Sequence, residues 1–149
     1  MKQISILIGF VLLSQFSLAQ KNKSINTGKN ALAVQGYDVV SYFDGKATEG
    51  KATLTSDHDG AVYRFSSPEN KKKFDKSPQM YIPQYGGWCA YAMGIDGSKV
   101  KIDPNTFKIS DDRLYLFYNF KGNNTLIPWN KEEKSLRQEA DKQWDMARK

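Results

Sequence analysis

The sequence predicts an α+β fold: a small antiparallel sheet of short hairpins, covered by two or three helices including a C-terminal amphipathic one. Three observations carry this. Two pairs of β-branched and aromatic runs are separated by Asp/Gly turn residues. Ser67-Pro68 and Ser77-Pro78 are helix starts. Near the C-terminus, Leu136, Ala140, Trp144 and Ala147 recur at helical spacing.

Residues 20–30 are polar and without periodicity, so they read as a flexible lead-in. Apolar material begins at Ala31-Leu32-Ala33-Val34. Gly36 permits a turn into Tyr37–Phe43, whose composition predicts a strand ended by Asp44-Gly45. Residues 52–56 and 61–65 form the arms of a hairpin around Asp57-His58-Asp59-Gly60. The first helix runs from Ser67-Pro68 to about Lys76, with Phe74 inward and Lys71, Lys72 and Lys73 outward. A shorter turn from Ser77-Pro78 ends at Pro83. Tyr85–Gly94 holds no charge, and its small and aromatic residues predict burial with close backbone approach at the glycines. Asp103-Pro104-Asn105 reads as a turn. Thr106–Ile109 and Arg113–Phe120 form a second hairpin about Asp111-Asp112. Asn130 with Glu133 makes a capping-box pattern for the last helix, whose Leu/Trp stripe is expected to pack on the sheet.

The N-terminus has the parts of a secretory signal: Lys2, an apolar run from Ile4 to Leu13 too short to span a bilayer, and small residues in Ser17-Leu18-Ala19. Residues 1–19 are therefore expected to be removed, leaving an exported protein, periplasmic or secreted, that is soluble after cleavage. The remaining 130 residues suit one domain, over 31–149 after the lead-in. The chain has 22 basic and 16 acidic side chains. The leader holds one of the bases and no acid, so the mature charge is +5. The excess is dispersed rather than gathered in a basic, aromatic-studded patch, which points away from a nucleic-acid partner.

One stretch after another resembles the exported bacterial proteins of the YHS domain family. The matching pieces are Gly36–Phe43, Tyr63–Asn70 with Phe74, Pro83–Ala92, Leu114–Asn119 and a closing Ala140-Asp141-x-x-Trp144. They arrive in order between about Ala31 and Trp144. Other branches of the group accompany heavy-metal transporters and monooxygenases, where paired cysteines imply metal binding. In this chain the stretch corresponding to the eponymous Tyr-His-Ser reads Tyr63-Arg64-Phe65-Ser66, and the cysteine is single.

Cys89 is therefore the residue on which chemistry turns. A lone thiol in an exported protein cannot form an internal disulfide; it is packed as a small hydrophobe, ligates a soft metal, or does redox chemistry. Copper or zinc is the candidate cofactor. Met93, four residues on, adds a thioether one helical turn away, and His58 is the single imidazole. Tyr85 and Tyr91 are placed to shape such a pocket around a metal ion or small ligand. A serine-hydrolase elbow and a phosphate-binding glycine loop are both missing, while a Cys89–His58 nucleophile pair requires the hairpin turn to lie over the glycine segment. The sequence thus favours a binding module; the alternatives are a thiol-dependent redox protein or enzyme using Cys89, or a protein-interaction accessory domain in which Cys89 is buried.

Overall fold

The computed structural model describes residues 24–148. The expected leader and the first part of the lead-in lie outside them. From Ser24 on, the chain is anchored rather than loose: the Asn26 amide N–H donates to the Gly86 carbonyl (2.8 Å) and its side-chain Nδ2 to that of Gly87 (3.0 Å).

The expected strand over Tyr37–Phe43 is instead a chain of tight turns ending in a 3-10 turn, Ser41–Asp44. Asp38 is the cause. Its carboxylate is fully buried and accepts from Val40 N (2.9 Å), Ser66 N (2.8 Å), Ser66 Oγ (2.6 Å) and Asn70 Nδ2 (2.7 Å). Its carbonyl accepts from Ser41 N and Ser41 Oγ. These local bonds take the groups a β-ladder would need. Tyr42 is carried into the core, its hydroxyl donating to the Pro104 carbonyl (2.8 Å).

The first hairpin pairs β1 (Lys51–His58) with β2 (Ala61–Phe65). Its two-residue turn, Asp59-Gly60, takes positive φ at both positions, the pairing that suits strand twist. The strand thus runs through His58 rather than turning there. Ala61, Tyr63 and Phe65 of β2 alternate into the core. Helix α1 (Pro68–Lys76) follows, with Ser67 Oγ accepting from Asn70 N (3.1 Å) and Phe74 buried. A left-handed turn at Tyr85, Gly86 and Gly87 leads to α2 (Ala90–Asp96), which Gly97 ends in the left-handed conformation. The second hairpin pairs β3 (Asp103–Ser110) with β4 (Arg113–Phe117). Asp103–Asn105 belongs to a register irregularity inside β3 rather than to a separate turn. A short ribbon, β5 (Asn119–Phe120) with β6 (Asn123–Asn124), precedes α3 (Leu126–Ala147).

Three features depart from expectation. Among the described residues the hairpins remain three separate two-stranded sheets rather than one. Helix α3 starts at Leu126, whose N–H is taken by Asn124 Oδ1 (3.0 Å), not at Asn130. The capping-box pair is otherwise engaged: Lys108 Nζ donates to Asn130 Oδ1 (2.7 Å) and Glu133 Oε2 (2.6 Å), tying α3 to β3. Finally, α3 packs chiefly on α2, with Leu136 and Ala140 buried and Ala147 exposed. Among the described residues no helix is long and apolar enough to cross a membrane.

Strand β4 divides the core in two. Leu114 and Leu116 face a first cluster with Val39, Tyr42, Phe65, Phe74 and Cys89. Tyr115 and Phe117 face a second, with Tyr85, Met93, Trp129 and Leu136. A strand buried on both sides is apolar throughout rather than alternating. The α2–α3 crossing depends on Gly94, where a Cβ would stand 2.6 Å from the Leu136 carbonyl oxygen. Backbone cannot yield as a side chain does, so Gly94→Ala is expected to cost about 1–3 kcal/mol, read from the urea midpoint. An unchanged midpoint would mean that the helices shift apart freely.

Candidate functional site

Cys89 sits just before α2 and is fully buried. Its backbone N–H is held by the Val100 carbonyl (3.0 Å). Its sulfur lies 3.4 Å from Thr125 Oγ1 and accepts from the Tyr118 N–H at 3.4 Å. The Thr125 hydroxyl donates its one proton to the Tyr118 carbonyl (2.9 Å). The thiol proton is therefore the one that lies between sulfur and Thr125 Oγ1, and the four groups close a ring of bonds.

The other expected site residues scatter around this point. The Met93 N–H donates to the Cys89 carbonyl (3.0 Å), so the two are one helical turn apart, but Met93 packs in the second core cluster and Cys89 in the first. Tyr91 is half-buried between the clusters. The Tyr85 hydroxyl donates to Asp141 Oδ1 (2.9 Å). His58 lies elsewhere, at the tip of the first hairpin. Its ring is edge-on to Phe74, and its Nε2 is 3.1 Å from Gln79 Nε2 and 3.4 Å from Asp59 Oδ2. The polar partners of Cys89 are Thr125 and Tyr118 instead, so the Cys89–His58 pair is not formed.

What His58 does line is a groove of about 450 Å³. One wall comes from the first hairpin, with His58, Asp59 and Tyr63; another from the segment Gln79 and Ile82–Gly86. Ser24 and Ile25, together with Trp144 and Arg148 from the end of α3 and its C-cap, complete the lining. Gly86 is required here. Its φ is +61°, and a Cβ would stand 2.6 Å from the Ser24 carbonyl oxygen and 2.7 Å from the Trp144 ring. The groove thus opens where the two core clusters meet, Tyr63 belonging to one and Tyr85 to the other.

The phenols of Tyr63 and Tyr85 are held far above their ordinary range near 10. Burial is the main cause for both, assisted by Asp59 at Tyr63 and by Asp141 at Tyr85. Both stay protonated at neutral pH and supply surface rather than a nucleophile. Of the groove residues, sequence reasoning singles out His58 and Tyr85. Trp144 reads only as part of the core stripe, and no spacing rule puts residue 148 beside residue 58.

A YHS domain is found at residues 39–85. Neither the curated proteins nor the solved structures offer a match to the chain. The domain carries a loose link to metal, and particularly copper, binding. It takes in His58, Tyr63, Gln79 and Tyr85 but ends before Cys89, Tyr91 and Met93. The Cys89 sulfur is hydrogen-bonded to a hydroxyl and a backbone amide. Among the described residues no three His, Cys, Asp or Glu side chains are grouped to hold an ion.

Proposed function

We propose, with the YHS domain at residues 39–85 as premise, that this is an exported binding module that takes a small ligand in the groove beside His58. Export rests on the leader-like residues 1–19. The observation that carries the binding reading is the groove itself. It is concave, of a volume that suits a small molecule, and sets aromatic rings in a largely polar lining.

The test is a fragment screen read by the protein's own NMR signals. The expected result is that hits move the backbone amides of His58, Gln79 and Gly86 and the Trp144 indole. Hits that gather at other surfaces would overturn the reading.

A soft-metal ion at Cys89 and Met93 is the second reading, favoured by the one-turn spacing of the two sulfur residues and by the domain's link to copper. Thiol labelling decides it. Cys89 is expected to react slowly in the folded protein, to react fully on denaturation, and to be indifferent to Cu(I) or Zn(II). Fast labelling that either ion suppresses would establish the metal reading in place of a packed thiol. Fast labelling that metal leaves unchanged would instead mark a redox thiol.

A further inference from the structure

We propose that the groove's ligand is a small organic anion, a carboxylate carried on a planar or apolar body. This rests on the reading of the groove as the binding site. Two side chains of its lining keep hydrogen-bond donors for a ligand, Gln79 and Arg148. Gln79 Nε2 donates one N–H to His58 Nε2 (3.1 Å) and has a second to offer. Arg148 offers a guanidinium that spends one N–H on Asp145 Oδ1 (2.7 Å), leaving others for a second acceptor.

Asp59 is the acid of the lining; its side chain is 62% exposed and that of Arg148 59%, so water screens the two alike. The chain as a whole is basic, at +6, which draws anions toward such donors. The lining also presents apolar surface: Ile25, Tyr63, Ile82, Pro83 and the Trp144 ring. Donors beside flat apolar surface match an acid with a ring attached rather than a bare inorganic ion or a sugar. The arrangement also divides the work along the chain. His58 and Gln79 lie inside the YHS domain, while Trp144 and Arg148 belong to the far end of α3 and its C-cap, so the two parts complete one site.

Benzoate is a suitable probe, with benzamide as its uncharged counterpart and acetate as the carboxylate without a ring, at fixed ionic strength on the folded chain. Benzoate is expected to shift the Trp144 indole and Gln79 side-chain amide signals and to bind at least about tenfold more tightly than either comparator. Arg148→Gln, an exposed substitution that leaves the cores untouched, is expected to abolish the preference over benzamide. Equal binding of benzamide, or an Arg148→Gln variant that keeps the preference, would overturn the anion while leaving the groove as a binding site. Acetate binding as tightly as benzoate would overturn the ring-bearing body. No shift with any of the three overturns the inference, and the fragment screen then judges the groove independently.

Discussion

Asp38→Ala is expected to lower the stability of the fold by about 3–5 kcal/mol, a large share of what a domain of this size has to lose. The carboxylate gathers four donors from three residues: Val40, two positions on, and Ser66 and Asn70, 28 and 32 positions on. Alanine strands two backbone N–H groups, that of Val40 buried and that of Ser66 part-buried, and each such orphan carries its own desolvation cost. An asparagine at this position would keep one acceptor oxygen but turn an NH₂ toward the remaining donors, so Asp38→Asn is expected to fall between alanine and wild type. Urea unfolding measures both. A loss below about 1 kcal/mol for the alanine variant would show that the donors find other partners. The effect reaches the groove, because Ser66 and Asn70 position the end of β2, and β2 carries Tyr63 to the groove wall.

The second large effect is alkaline. The phenols of Tyr42, Tyr63 and Tyr85 are all raised above the ordinary value of 10.0, in each case chiefly by burial. Asp59 adds to this at Tyr63 and Asp141 at Tyr85, while Tyr37, Asp103 and Asp38 add to it at Tyr42. Below about pH 10 these groups hold their protons in both the folded and the unfolded chain, and stability does not depend on them. Above it the unfolded chain gives up three protons that the folded one keeps. Stability then falls with rising pH, by about 1.4 kcal/mol per unit for each phenol and about 4 kcal/mol per unit for the three. The fold is expected to give way cooperatively within a few units above that point, with the last rise in tyrosinate absorbance coinciding with loss of far-UV circular dichroism. Complete tyrosine ionisation in a chain that keeps its dichroism would refute the burial argument.

How much of this is legible in the sequence depends on how local the cause is. The Ser67 cap and the Asp111-Asp112 turn are decided by a few adjacent residues, and each stands where the local pattern puts it; the first hairpin turn falls on Asp59-Gly60, the second half of the expected Asp57–Gly60. Tyr37–Phe43 has the composition of a strand, yet Asp38 overrides it through partners 28 and 32 residues away. The start of α3 misleads for a similar reason: Asn130 and Glu133 have capping spacing, but Lys108 from another element claims both. The groove is the least legible part. Its walls run from Ser24 to Arg148, and only the packing of one core cluster against the other brings them together. For Cys89 the sequence leaves three fates open; its neighbours Tyr118 and Thr125 come from beyond the second hairpin, and no local pattern announces them.

The ring joining Cys89, Tyr118 and Thr125 makes the burial of the sulfur a property of the finished fold, not of the residue. In an extended chain nothing screens residue 89, and two newly made copies that meet can cross-link through it wherever an oxidant is at hand. Safety is then a race between assembly and collision. It is won once the loop from residue 89 to residue 125 has closed, and lost more often as chains become crowded or the corner between β4 and α3 is slow to form.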